Sequence, residues 1–182
     1  MTVWTIGHST RSTEEFLAAL AAHEIEAVVD VRRFPGSRRL PQFGTAALEA
    51  SLRAGGVSYA WIDALGGRRR ADAESPNDAW NNDAFRGYAD HTGTEEFAHG
   101  LVELLMVVSG LRTAIMCAEL LWWRCHRRII ADYLIAAGEA VFHILSGDRT
   151  EPAHLTPGVV RGDDGTLLYP KADVRGQISE IG

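Results

Sequence analysis

The stretch VWTIGHSTRSTEEFLAALAAHEIEAVVDV, residues 3–31, decides the fold. It opens with a short apolar run, Val3-Trp4-Thr5-Ile6, stopped by Gly7. Ser12-Thr13-Glu14-Glu15 then has the form of a capping box, with Ser12 at the N-cap and Glu15 at N3. Phe16, Leu17, Leu20 and Ala21 recur at helical spacing and supply a buried stripe, up to an end near His23. Ala27-Val28-Val29-Asp30-Val31 follows as a continuous apolar strand, the kind that is buried on both faces. Strand, helix and strand in this order form a crossover unit, and crossover units build parallel sheets.

The alternation continues outward from this unit. An irregular segment carries Pro35-Gly36 and Pro41; Thr45 then caps a short helix through Leu48 and Leu52, ended by Gly55-Gly56. Val57–Ile62 reads as a third strand, and Gly66 to about Asn82 as a long loop. Thr94 caps a helix with Glu95 and Glu96 in its first turn and Phe97, Leu101, Leu104 and Leu105 on its inner face. Thr113–Met116 is a fourth strand, Cys125 to Ala137 a helix stopped by Gly138, and Val141–Leu145 a fifth strand. Beyond Asp148 the periodicity fades, and only Thr166–Tyr169 looks extended. The expected architecture is α/β: a mainly parallel sheet of about five strands with helices on both faces, plus a C-terminal tail. Residues 1–149 are expected to form the domain, and residues 150–182 a tail that packs on it or is partly disordered.

Composition agrees with one globular domain: 182 residues, 46% hydrophobic and 23% charged. That apolar content excludes a disordered chain. Two cysteines, Cys117 and Cys125, are too few for a disulfide scaffold. No apolar run approaches the ~20 residues of a membrane span, and the opening MTVWTIGHST has no basic leader. A cytoplasmic protein with both thiols reduced is expected, with no membrane partner. The net charge of −6 argues against nonspecific coating of nucleic acid. The charge is uneven, however. Residues 1–70 hold nine arginines against seven acids, whereas the remainder holds nine cations against seventeen acids.

In an open α/β sheet, ligands bind beyond the carboxyl ends of the strands. The polar residues of this chain gather there. Gly7-His8-Ser9-Thr10-Arg11 follows the first strand, and Asp30-Val31-Arg32-Arg33 ends the second. Leu65-Gly66-Gly67-Arg68 follows the third; Cys117-Ala118-Glu119 and then Arg124-Cys125-His126-Arg127 follow the fourth. His8, Asp30, Cys117 and His126 are therefore expected to cluster at one edge. A phosphate- or carboxylate-bearing ligand is expected between the Arg32–Arg33 loop and the Cys125–Arg128 helix start. The competing arrangement pairs Arg32 and Arg127 with Asp30 and Glu119, leaving Arg33, Arg124 and Arg128 unpaired.

These motifs, with Phe34-Pro35, Pro41-Gln42-Phe43, Phe85-Arg86-Gly87-Tyr88-Ala89, His154-Leu155-Thr156-Pro157 and Tyr169-Pro170, resemble the domain of unknown function 488 family. The likeness runs in order over nearly the whole chain; it departs at Gly158-Val159-Val160. It implies an α/β domain with a site shared by these motifs, and no known reaction. Through the same motifs it adds Ser9 and Tyr88 as ligand-binding candidates.

Three chemical readings of the Cys–Glu–Cys-His-Arg loop stand open. In the first, Cys117 is a nucleophile with His126 as base and Glu119 as proton carrier or orienter; His8 joins the catalytic set, and Asp30 is either a further base or a partner of Arg32. Ser9, Arg32, Arg33, Arg127 and Tyr88 would then hold a small anionic, planar ligand such as a nucleotide. In the second, Cys117, Cys125 and His126, with or without His8, bind iron or zinc, although adjacent Cys125 and His126 are an awkward pair on a helix. In the third, the Arg32–Arg39 arm, with Phe34 and Phe43, binds nucleic acid without catalysis. Each residue also has a plain structural alternative, Cys117 as a small core residue above all. Arg68-Arg69-Arg70 reads as a solvated loop. Bulky Leu120, Leu121, Trp122 and Trp123 argue against a phosphatase-type cradle, which needs small residues. No phosphate-binding loop or dinucleotide fingerprint occurs.

Overall fold

The computed structural model describes residues 1–36 and 39–171. Arg38 of the basic arm and residues 172–182 of the tail therefore lie outside the described residues. In chain order the elements are β1 (Thr2–Gly7), α1 (Thr13–Ala22), β2 (Ala27–Asp30), α2 (Thr45–Ala54), β3 (Ser58–Trp61), α3 (Asp83–His91), α4 (Glu95–Gly110), β4 (Thr113–Cys117), α5 (Arg127–Ala136), β5 (Ala140–Ser146), β6 (Arg149–Pro152), β7 (Val160–Arg161) and β8 (Leu167–Leu168). The main sheet has the order β3-β2-β4-β1-β5-β6. Its first five strands are parallel, and β6 is antiparallel to β5. β7 and β8 form a separate two-stranded ribbon. No helix among the described residues is long and apolar enough to cross a membrane.

Side chains alternate across a strand with period two, so each central strand feeds two cores. Trp4, Ile6, Val28, Ala114 and Met116 pack with Phe16, Leu20, Leu48 and Leu52 of α1 and α2. Val3, Val29, Ile115 and Cys117 pack with Phe97, Leu104, Ile130 and Leu134 of α4 and α5. This two-sided burial is why β2 and β4 read as unbroken apolar runs.

The capping box of α1 forms: Glu15 N donates to Ser12 Oγ at 3.1 Å, and Ser12 N to Glu15 Oε2 at 2.8 Å. Three local expectations need correction. Gly44, not Thr45, is the N-cap of α2, and Thr45 is its first residue. α5 begins at Arg127 with His126 as N-cap, because Trp122–Arg124 form a separate 3-10 turn and Cys125 is extended. α3 occupies Asp83–His91, where no helix is expected from the periodicity.

β6 straddles residue 150, where the sequence divides domain from tail. Residues 153–171 after it bond to α5. Buried Asp132 accepts from Thr156 N at 2.8 Å and from Tyr169 Oη at 3.0 Å. Leu167 N donates to Tyr133 Oη at 2.9 Å. Arg128 donates to Thr156 Oγ1 and lies over the Trp80 ring at 4.9 Å. These bonds account for a carboxylate fully buried in α5.

Candidate functional site

β4 lies between β2 and β1, so its carboxyl end meets the ends of both neighbours. Gly7 pairs with Cys117, and His8 N donates to Cys117 O at 2.9 Å. Asp30 pairs with Met116, and Val31 N donates to Met116 O at 3.0 Å. His8, Asp30, Cys117 and His126 therefore do gather at one edge. The pleat then divides them: Cys117 belongs to the α4–α5 core, whereas Met116, level with Asp30, belongs to the α1–α2 core.

On the α1–α2 side, Asp30 accepts from Arg32 N (3.0 Å), Nε (2.9 Å) and Nη2 (2.5 Å), and from Tyr59 Oη (2.9 Å). Asp30 is 0% exposed and Arg32 6%. Asp30 is thus the buried counter-ion of Arg32. Burial, with Asp30 beside it, pushes the Tyr59 hydroxyl pKa up. Arg32 Nη1 also donates to Phe43 O at 2.9 Å and contacts His8 Nε2 at 3.2 Å. His8 Nδ1 faces the Ser9 carbonyl at 2.9 Å. A carbonyl only accepts, so Nδ1 carries the hydrogen and Nε2 accepts from Arg32. Both nitrogens of His8 are spent on structure, and the ring stacks on Phe43 at 4.2 Å.

On the α4–α5 side lies the reactive cluster. His126 Nδ1 is 4.0 Å from Cys117 Sγ and 3.7 Å from Cys125 Sγ. His126 Nε2 faces Val31 O at 2.9 Å. That carbonyl holds the hydrogen on Nε2, so in the neutral ring Nδ1 turns a lone pair toward both sulfurs. Arg127, 1% exposed, donates to Cys125 Sγ at 3.3 Å, Thr5 Oγ1 at 3.3 Å and Glu119 O at 2.5 Å. The thiols are strongly coupled. Hydrogen bonding to Cys125 and burial push the Cys117 thiol pKa up. Burial opposes ionisation of Cys125, but the Cys117 hydrogen bond and the Arg127 charge outweigh it and hold the Cys125 thiol low. The cysteines are free, and burial with their mutual hydrogen bond makes Cys125 the more readily ionised of the two.

Above this cluster opens a cavity of about 350 Å³. Cys117, Cys125 and His126 line it, with Gly67, Ala118 and Glu119. Phe34 and Phe85 form apolar walls, and Arg32, Arg33, Arg68 and Arg124 add guanidinium groups or their stems. Among the described residues, Arg68 and Arg124 make no ion pair, while Arg33 lies 3.8 Å from a Glu96 carboxylate that Arg69 also holds at 2.9 Å. Gly67 presses on the imidazole: a Cβ there would lie 2.7 Å from His126 Nδ1.

Three ligand-binding candidates do not line this cavity. Arg127 is enclosed by the acceptors named above; it bonds the Glu119 backbone, not its carboxylate. Tyr88, fully buried, donates to Leu65 O at 2.8 Å and packs its ring 4.7 Å from that of His126. Ser9 bonds through its backbone, its N to Ala118 O. Arg32 touches the cavity, but its guanidinium is committed to Asp30, which also takes it out of the basic arm. Arg128 is held by Thr156 and Trp80. Conversely, Arg68 is passed over in the sequence as part of a solvated run, and Phe85 appears there only inside a motif. The signal for Arg68 is Leu65-Gly66-Gly67: two glycines let the loop that carries it lie against Arg33 and His126.

A second histidine shares the Arg127 network. Thr5 Oγ1 accepts from Arg127, so its hydrogen goes to His143 Nδ1 at 2.8 Å. Burial and Arg127 lower His143 to a pKa of about 3, and burial lowers His8 to about 4. An unfolded histidine protonates near 6.5, so below that pH the unfolded chain binds more protons than the folded one. Stability is therefore expected to fall as pH falls from 6.5 toward the folded values. At pH 5 the loss is about 2 kcal/mol per histidine. Urea midpoints at pH 7 and pH 5 measure it, and His143→Gln should remove one share. Equal midpoints at the two pH values would contradict neutral buried rings.

The fold and this edge define a class: an α/β protein with a guanidinium-rimmed cavity over a Cys–Cys–His floor. The chain belongs to the family described as Domain of unknown function DUF488, whose model matches residues 12–134, more than half of the chain. No curated protein and no solved structure matches it. The matched span holds every residue named as lining the cavity, while His8 and the tail lie outside it.

Proposed function

We propose that the chain is an enzyme acting on a small anionic ligand with a planar part, bound in the cavity above Cys117, Cys125 and His126. The observation that carries this reading is the pair Arg68 and Arg124. Both line the cavity, and neither has a carboxylate partner among the described residues. Buried Arg32 is spent on Asp30, whereas exposed guanidiniums with no carboxylate partner on the wall of a concave site suit phosphate or carboxylate. Phe34, 68% exposed, and Phe85 offer faces for a ring. A volume of about 350 Å³ suits a ligand of mononucleotide size. Glu119, exposed on the same wall, is the proton carrier of this reading, and the Cys–Cys–His floor is its reactive centre. Two adjacent unbridged thiols suit a reducing, cytoplasmic setting.

The test is a thermal-shift screen of nucleoside monophosphates and carboxylated heterocycles against their uncharged counterparts. At a hundredfold excess over Kd, a binder stabilises by about 2.7 kcal/mol, or about 5–10 °C for a chain of this size. Anionic members are expected to shift the melting temperature and the uncharged ones to leave it. Equal shifts from both sets, or none from any anion, would remove the proposal.

A further inference from the structure

We infer that Cys117, Cys125 and His126 form a site for one divalent transition-metal ion, with a fourth position open to the cavity. The inference gives the reactive centre of the proposed function its chemistry, and it rests on that reading only for what occupies the open position.

Donor chemistry comes first. Two sulfurs and one imidazole nitrogen lie within 4.8 Å of one another. Two soft thiolates and a borderline nitrogen suit zinc or ferrous iron and disfavour magnesium or calcium. Geometry agrees. Around tetrahedral zinc, bonds of about 2.3 Å to sulfur and about 2.05 Å to nitrogen place neighbouring donors about 3.6–3.8 Å apart. The two sulfur–nitrogen separations are 4.0 and 3.7 Å, within a few tenths of an ångström of that geometry, and the sulfurs lie within 4.8 Å of each other, so closure onto an ion draws them together by at most about 1 Å. The awkwardness of adjacent Cys125 and His126 disappears because neither lies inside α5: Cys125 is extended, and His126 is the N-cap.

Two further observations concern the imidazole itself. A metal-bound histidine commonly donates its other N–H to a carbonyl or carboxylate, which fixes the ring and its tautomer. Val31 O does this for His126 Nε2 at 2.9 Å. Gly67 then keeps the space beside Nδ1 clear, since any Cβ there would sit 2.7 Å from that atom. A purely structural histidine does not need its bare nitrogen kept open next to two sulfurs.

The coordination is incomplete. Among the described residues no fourth histidine, cysteine, aspartate or glutamate joins the group. Structural zinc sites close with four protein ligands, whereas catalytic ones keep three and leave a place for water or substrate. All three ligands line the cavity that Arg68 and Arg124 rim. An ion held there presents its free position to a bound anion or to a water molecule, and adds positive charge to the arginines.

The experiment uses the whole chain, purified without chelator, stripped, and reloaded with cobalt(II) or zinc(II). Elemental analysis of the unstripped protein is expected to find one zinc or iron per chain. Cobalt loading should give thiolate charge-transfer absorption and intense tetrahedral d–d bands. Cys125→Ser, His126→Gln and Gly67→Ala should lose these bands, and Arg124→Ala should keep them. Should the variants misfold, wild-type alkylation decides: zinc should protect both thiols from iodoacetamide, and a chelator should restore their reaction. No charge-transfer band, together with equal alkylation with and without zinc, overturns the inference. Phosphate or a nucleoside monophosphate added to the cobalt form separates the two readings. Cobalt bands that no anion alters, with no thermal shift, would support the metal and remove the anionic substrate. Anion-dependent thermal shifts in a protein that binds no metal would do the reverse.

Discussion

Asp30→Asn is expected to destabilise the protein by about 3–5 kcal/mol, because it strands a buried guanidinium. Asp30 receives Arg32 through its backbone N, Nε and Nη2, together with the Tyr59 hydroxyl. An asparagine keeps the shape but loses the charge and turns an NH₂ toward one of these donors. The loss spreads, because Arg32 also holds Phe43 O and His8, and the His8 ring stacks on Phe43. Chemical denaturation measures the cost. Replacing both partners, as in Asp30→Leu with Arg32→Met, should recover much of it, since it leaves no buried charge unpaired. The alternative role of Asp30 as a catalytic base predicts the opposite pattern: full stability and lost turnover. An Asp30→Asn protein as stable as the wild type would contradict the network.

The second large effect is expected at Gly7. A Cβ on Gly7 would lie 1.9 Å from Glu119 O and 3.0 Å from Arg127 Nη2. The first obstacle is backbone, so it cannot swing aside. Gly7→Ala must push the Cys117–Glu119 loop away from β1 and break the Arg127 bond to Glu119 O. A cost of about 3 kcal/mol, at the upper end for overpacking, is expected. Arg127 also holds Cys125 and Thr5, so the cavity floor should loosen with it. Faster iodoacetamide reaction at Cys125, together with a lower denaturation midpoint, is the expected signature. Wild-type values of both would show that the loop gives way freely.

The sequence shows the parallel sheet because each central strand must be apolar on both faces, and Val28-Val29 beside Ala114-Ile115-Met116 cannot be otherwise. The capping box at Ser12 is local chemistry and forms as read. α3 escapes because it is polar and carries Gly87, a residue that weakens helices. Its glycine answers to packing: a Cβ there would lie 2.5 Å from Arg69 O. Asn82, whose side chain accepts from Ala84 N and Phe85 N, is the signal that marks its start. Residues 153–171 have no period because side-chain bonds to α5 hold them, rather than a stripe of their own.

The candidate site is legible as an edge and not as a set of roles. Strand ends gather His8, Asp30, Cys117 and His126, but the two-residue period already places successive residues of a strand on opposite faces. Applying it across the β2–β4 register separates Asp30 from Cys117. Which arginines stay unpaired depends on contacts remote in sequence. Arg69 and Arg33 meet Glu96, and Arg128 meets Thr156 and Trp80, so Arg68 and Arg124 are left facing the cavity.

Calorimetric titration reads out the proposed binding of an anion in this cavity through Arg68 and Arg124. The titrant is a nucleoside monophosphate or the strongest anion from the screen, added to wild type, Arg68→Ala, Arg124→Ala and the double variant. Both residues are exposed, and the variants should fold. Each single replacement is expected to weaken binding about tenfold, the loss of one charged hydrogen bond of about 1.5 kcal/mol, and the double replacement to abolish measurable heat. Equal affinity in all four proteins would contradict binding through these arginines.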